Sequence, residues 1–198
     1  GEARAQESRC GDPAQRPWCD PSLSPDRRAD LLLPQMTADE KIAMLAADDL
    51  FGGPLGGFLE TAHADVNNGV PRLGIPPVHM ADGPAGVRQG KATALPAPIA
   101  LAAGFDPEAA RLYGRTVAWE ARHRGNDVVF GPTVDVLRTP RNGRTFEGFG
   151  EDPYLASTLG APWIRGAQSQ GVMAAVKHMA VYTQETDRLT LTMKVDPR

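Results

Sequence analysis

The sequence predicts an α/β fold, the first part of a (β/α)8 barrel of the TIM type, incomplete in this chain and preceded by an extended arm. Three observations predict it. Apolar runs of strand length alternate with helical patterns in the order strand, helix, strand, helix, strand, joined by short connections, as parallel βα units require. Polar and charged residues gather at the C-terminal ends of those runs, where α/β barrels place their active sites. The 198 residues hold about three such units, whereas a full barrel has eight and takes about 250 residues. A partial barrel leaves an unpaired strand edge and an open apolar face, so more chain or a second piece is expected beside it.

Residues 1–25 are polar and Pro-rich and read as an N-terminal extension. Asp26 to Leu45 reads as helix, with Leu32, Met36, Ile42, Met44 and Leu45 as its apolar positions. Pro34 ends the first stretch, and Thr37 followed by Glu40 is the capping-box pattern that opens a second helix. From Gly52 to Gly74 the glycines and prolines of GGPLGG and NNGVPRLG predict loop. Pro76 to Met80 is a short buried strand running into the turn Asp82-Gly83-Pro84. Asp106 to Arg124 is a helix capped by Asp106, with Pro107 in the first turn and Gly125 past its end. A second strand lies in VVFG, with Gly131-Pro132 beyond it. Glu151 to Gln170 is helical and Gly171 marks its end. Val172 to Val176 is a third strand, delivering Lys177 and His178 at its C-terminal edge. Trp119 and Trp163 fall within helices and are expected in the core.

Composition excludes some partners. The net charge is −3 and no run of Lys or Arg exceeds two, so the basic footprint of a nucleic-acid binder is missing. No stretch of about 18 apolar residues occurs, so no membrane-spanning segment is expected. The only cysteines, Cys10 and Cys19, lie in CGDPAQRPWC. A close pair in a turn-rich segment predicts a disulfide loop in an exported protein, with two free thiols in a cytosolic chain as the alternative, and further ligands for a zinc site are lacking.

Four clusters carry chemistry: DGPAGVR (82–88), GRTFEGFGED (143–152), Lys177-His178 and QETDR (184–188). Taken singly, each has a duller reading. Asp82 suits a turn, Arg144 and Glu147 a surface ion pair, Asp152-Pro153 a helix start, and His178 a satisfied histidine. Together they supply what a neutral sugar needs, carboxylates to accept from its hydroxyls and cations to donate to them. His79 and His123 carry no supporting pattern and read as structural.

In order and spacing these segments resemble the N-terminal domain of glycoside hydrolase family 3, especially its β-glucosidase branch. The resemblance begins at RRADLLLPQMTADEKIAML and continues through RLGIPPVHMADGPAGVR and the long run from LAAGFDPEAAR to FEGFGEDP. It closes with GVMAAVKHMAVYTQETDR, so it covers nearly everything after residue 25. The resemblance implies that residues 26–198 are the N-terminal part of that family's barrel. It implies hydrolysis of terminal non-reducing β-D-glucosyl residues by retaining double displacement. Asp82 matches the aspartate that takes two sugar hydroxyls in the first subsite. Arg88, Arg144, Lys177 and His178 match residues that bind the same sugar, and Glu147 matches the carboxylate that holds Arg144. Gln184, Glu185 and Arg188 match a segment with a structural role. Val181, Tyr182 and Thr183 depart from the asparagines common there, and no ligand role carries over to them.

The resemblance further implies a nucleophilic aspartate on a later strand and an acid/base glutamate from a second α/β domain. Neither segment lies within these residues, so no catalytic carboxylate is assigned to this chain. The implied partners are the β-glycoside, the remainder of the barrel and the second domain, on the same polypeptide or a separate chain; no cofactor or metal is implied. β-Xylosidase, α-arabinofuranosidase or a non-catalytic carbohydrate-binding fragment are the alternatives. The β-N-acetylglucosaminidase branch is disfavoured, because no PGHG-like segment follows His178. A secreted or periplasmic location is expected.

Overall fold

The computed structural model describes residues 10–47, 63–179 and 181–196. The start of the arm and the GGPLGG part of the predicted loop lie outside the described residues. The described part of the arm is folded back on itself instead of extended. Cys10 and Cys19 are joined in a disulfide with Cα atoms 5.5 Å apart. Arg16 Nη1 donates to the Cys10 carbonyl at 2.8 Å, Arg16 Nη2 to that of Arg72 at 3.0 Å, and Trp18 Nε1 to that of Leu73 at 3.0 Å. These bonds pin the loop to the 71–73 turn.

Helices α1 (Pro25–Leu32) and α2 (Ala38–Ala43) follow the predicted punctuation, separated by a 3-10 turn through Pro34. Thr37 and Glu40 form both bonds of the capping box. Within the predicted loop the structure has a strand, β1 (Asp65–Asn67), antiparallel to β2 (Val78–Asp82). Three residues between glycines leave no periodic trace, and the pairing with β2 makes the strand. β2 runs on through Asp82, which is therefore a strand residue and not the first residue of a turn.

After the short helix α3 (Pro98–Ala102), which sequence pattern does not reveal, come α4 (Pro107–His123), β3 (Val128–Thr133), α5 (Pro153–Gln168) and β4 (Met173–Lys177). Asp106 and Asp152 cap α4 and α5 as predicted. β3 incorporates Gly131 and Pro132, where its register with β4 shifts. A proline without an N–H is tolerated at such an irregularity. The described strands form one mixed sheet in the order β1-β2-β3-β4, with β2, β3 and β4 parallel.

Helices α4 and α5 pack together on one face of this sheet. Ala81, Val129 and Ala174, in register across three strands, meet Val117, Ala118, Leu159 and Trp163. Burying Leu159 and Trp163 contributes roughly 1.5–3 kcal/mol each. The helices approach through glycine: a Cβ at Gly114 would lie 2.1 Å from the Trp163 carbonyl, and one at Gly166 2.0 Å from that of Arg111. Trp119, expected in the core, is half exposed, because the buried stripe of α4 runs through Val117, Ala118 and Ala121 and turns position 119 outward.

Side chains alternate between faces along a strand. Met80, Val128 and Met173 therefore share the face opposite α4 and α5, with Asp82, Phe130 and Ala175 in the next row. Lys177, two residues beyond Ala175, emerges on that same face.

Candidate sugar-binding cleft

β2 ends on Asp82, β4 ends on Lys177, and both side chains reach the face opposite α4 and α5 near the C-terminal edge of the sheet. Gly83, behind Asp82, has no room for a side chain, since a Cβ would sit 2.7 Å from Val129 Cγ1. The strand thus turns away tightly, the Asp82 carbonyl accepts the Arg88 amide at 3.0 Å, and Arg88 is brought back over its own aspartate. The Asp82 amide donates to Gln89 Oε1 at 3.0 Å. This explains why DGPAGVR behaves as one unit.

The centre of the arrangement is the Asp82 carboxylate. Lys177 Nζ donates to Oδ1 at 2.6 Å and Arg88 Nη1 to Oδ2 at 3.0 Å. Arg88 Nη1 also lies 3.7 Å from Glu147 Oε1. Glu147, buried at 3% exposure, accepts from Arg144 Nη2 at 2.6 Å and from Nε at 3.2 Å through Oε2. Burial disfavours the Arg144 cation, but its bonds and charge interaction with Glu147 outweigh that and push its pKa above the ordinary arginine value. Carboxylates and cations thus alternate from Lys177 through Asp82, Arg88 and Glu147 to Arg144.

His178 follows Lys177 through a cis peptide. Its ring Nδ1 is 2.6 Å from Oδ2 of Asp135, which also accepts the His178 amide at 3.0 Å. Oδ1 of Asp135 accepts the Tyr182 amide at 3.0 Å. Burial pushes the Asp135 carboxyl up, but the bonds from His178 and Tyr182 outweigh it and hold the group below its ordinary value. The Tyr182 ring packs on His178 with centroids 4.5 Å apart, and the Arg144 guanidinium lies 5.1 Å from the Tyr182 centroid. The Tyr182 hydroxyl donates to Glu185 Oε2, and Arg188 Nη1 donates to Glu185 Oε1 at 3.0 Å.

These groups surround a cleft of about 610 Å³ lined by Asp82, Arg88, Arg144, Lys177, His178 and Glu147, with Phe130 and Phe146 as apolar wall. All five residues singled out as sugar-binding, and the carboxylate expected to hold Arg144, therefore meet in one place. Glu185 and Arg188, taken as structural, also line the cleft, as does Asp65 of β1. Sequence reasoning passed over Asp135 and Tyr182. Asp135 stands two residues beyond β3, the strand-end position that marked Asp82 and Lys177, so the same rule applied once more would have found it. Tyr182 had no such signal.

Fixed acceptors and donors around an open volume suit a polyhydroxylated neutral ligand, whose hydroxyls can each donate and accept. Among the described residues no group of three or more His, Cys, Asp or Glu could hold a metal ion, and no helix is long and apolar enough to cross a membrane.

Residues 57–196 match the glycosyl hydrolase family 3 N terminal domain. The chain is 41% identical over 180 residues to beta-glucosidase BoGH3A of Bacteroides ovatus, covering 84% of this chain and 22% of that protein. It is 40% identical over 173 residues to beta-glucosidase B of Emericella nidulans, covering 84% and 19%. Among solved structures it resembles beta-glucosidase 3B of Thermotoga neapolitana in complex with alpha-D-glucose, with a TM-score of 0.73 and 33% identity over 80% of this chain and 24% of that one. DesR, a beta-glucosidase from Streptomyces venezuelae in complex with D-glucose, gives 0.71 and 39% over 81% and 20%. The chain spans about a fifth of the length of the curated relatives it matches.

Proposed function

This chain belongs to glycoside hydrolase family 3, and we propose that it forms the first-sugar subsite of a β-glucosidase acting on terminal non-reducing β-D-glucosyl residues. The observation that carries this reading is the Asp82 carboxylate, held between Lys177 and Arg88 in the lining of the cleft. Its oxygens are positioned to accept two neighbouring hydroxyls of one sugar. Arg88, Arg144, Lys177 and His178 contact the same sugar, and Glu147 keeps Arg144 in place. The relatives' names favour glucosyl over xylosyl substrates.

The proposed architecture is the opening part of a (β/α)8 barrel. Three parallel strands, helices on one face and charged residues at the C-terminal edge support it. The face of the sheet opposite α4 and α5 then becomes the barrel interior, and the remaining strands and a second α/β domain complete the site. In the proposed retaining mechanism one carboxylate attacks the anomeric carbon while another protonates the leaving oxygen and later activates water, the pair standing roughly 5–5.5 Å apart. Both come from those further segments. The residues of this chain orient the ring, and the binding energy they supply at remote hydroxyls helps distort it toward the transition state. The Cys10–Cys19 disulfide supports a secreted or periplasmic protein.

The test is hydrolysis of an aryl β-glucoside by the full-length protein and its Asp82→Ala variant. Two charge-assisted bonds are worth about 3 kcal/mol or more, so kcat/KM should fall about a hundredfold or further with the fold retained. Near-normal turnover by the variant would remove Asp82 from the subsite.

A further inference from the structure

We infer that Asp135 is a positioning residue for His178, placing the imidazole proton on Nδ1 so that Nε2 faces the sugar as a hydrogen-bond acceptor. The inference rests on the reading of the cleft as a first-sugar subsite. It starts from the chemistry of the pair. A carboxylate only accepts hydrogen bonds, so a ring nitrogen 2.6 Å from Asp135 Oδ2 carries the hydrogen between them. In the neutral ring the other nitrogen then keeps its lone pair. Nδ1 is turned toward a carboxylate with only 3% of its side-chain surface exposed. Nε2 is therefore left on the opposite edge of a ring that lines the cleft.

The same carboxylate fixes where the ring sits. It accepts the amide of His178 and the amide of Tyr182, which ties down the backbone that bears the ring and the backbone four residues on. Tyr182 then covers one face of the imidazole. Position, tilt and tautomer of His178 are thus set from one buried group 43 residues earlier in the chain. The bonds that hold Asp135 ionised in spite of burial keep it in the acceptor-only form that this role needs. Lys177, next door, has three donors and no acceptor. A histidine fixed as an acceptor adds what that lysine lacks: it takes a hydrogen from a sugar hydroxyl whose oxygen another group holds.

A merely structural Asp135 would tie the 178–182 segment together without acting through the ring. A double-mutant cycle on the full-length protein separates the two roles, with an aryl β-glucoside as substrate and melting temperatures confirming that each variant folds. Asp135→Asn is expected to lower kcat/KM about 10- to 100-fold, by analogy with carboxylates that orient metal-bound histidines. In a His178→Ala background the same change is expected to cost less than about twofold, because coupled residues are not additive. Equal losses in both backgrounds, or an active and folded Asp135→Asn, would overturn the proposal.

The ring itself gives a readout that needs no turnover. In ¹⁵N-histidine-labelled protein without substrate, His178 should show hydrogen on Nδ1, and Asp135→Ala should abolish that preference. Hydrogen on Nε2 in the unmodified protein would overturn the proposal even if the enzyme is active. Failure of the unmodified protein to cleave any aryl glycoside would instead count against the subsite reading, while the nitrogen signature would still decide the link between Asp135 and His178.

Discussion

Lys177 Nζ lies 2.6 Å from Asp82 Oδ1, joining the last residues of β4 and β2 across 95 positions of sequence. Both side chains are largely withdrawn from solvent, at 15% and 12% exposure. Neither charge is in water enough to be indifferent to the other, and β3 separates their strands. The contact therefore closes the sheet's C-terminal edge at the point where the ligand is proposed to bind.

Lys177→Met should leave Asp82 with Arg88 as its remaining cation. Losing a bond to a charged group costs about 1.5–3 kcal/mol, so denaturant unfolding should show a loss on that scale. The double variant with Asp82→Asn should lose less than the sum of the single changes, because the pair acts as a unit. Strict additivity would mean that the contact contributes nothing to stability.

Glu147 holds Arg144 through two bonds to one oxygen, and its side chain is 4% exposed. Glu147→Gln keeps the volume but removes the charge and should free Arg144 to move. A displacement of about 1 Å at a positioning residue can cost about a hundredfold. The expected outcome is a marked fall in kcat/KM on aryl β-glucosides in the full-length protein, and unchanged kinetics would show that Arg144 is held by other means.

Glu40 joins the α2 cap to the 71–73 turn, accepting from Arg72 at 2.6 and 2.7 Å. The Arg72 guanidinium and the Thr37 amide lower its pKa from 4.5 to about 2. A lowered carboxyl pKa stabilises the fold above the unfolded value, and that contribution disappears as pH falls toward the folded one. Unfolding measured at successive pH values should therefore lose stability between pH 4.5 and about 2, and Glu40→Gln should flatten that part of the curve. An unchanged slope in the variant would rule the group out as its source.

Gly114 sits where α4 crosses α5, with the Trp163 carbonyl 2.1 Å from any added Cβ. Alanine favours a helix by about 1 kcal/mol over glycine, so an isolated α4 would gain from Gly114→Ala. Packing should reverse the sign, because forcing atoms into a filled interface costs about 1–3 kcal/mol. A higher melting temperature in the variant would show that the helices separate easily.

The 10–19 disulfide encloses a short loop held against the 71–73 turn by Arg16 and Trp18. Loop-closure entropy assigns such a bridge about 2–3 kcal/mol. Replacing Cys10 and Cys19 together by Ser should destabilise the arm by that order and raise hydrogen exchange at residues 10–20 before it affects the sheet. Simultaneous loss of both would mean that the arm and the sheet unfold as one unit.

Much of this was written locally. Asp106 and Asp152 cap their helices, Thr37 and Glu40 form the capping box, and VVFG and MAAV lie within strands because these signals act within a few residues. Asp82, Arg88, Arg144, Lys177 and His178 were legible for a related reason, since each belongs to a short motif at a strand end or in the loop beyond one. Asp135 carried the same strand-end signal, and only its pairing with an imidazole 43 residues away went unrecorded.

The sequence by itself therefore determined the succession of βα units, their caps and the motifs that carry charge, all products of short-range backbone and hydrogen-bond chemistry. Only the tertiary structure decided that residues 65–67 form a strand, that Trp119 faces outward, that the arm folds back, and that Asp82 is shared by Lys177 and Arg88. Those outcomes depend on strand register and on which face each helix buries. Both are set by packing between segments far apart in the chain, where no local pattern records the partner.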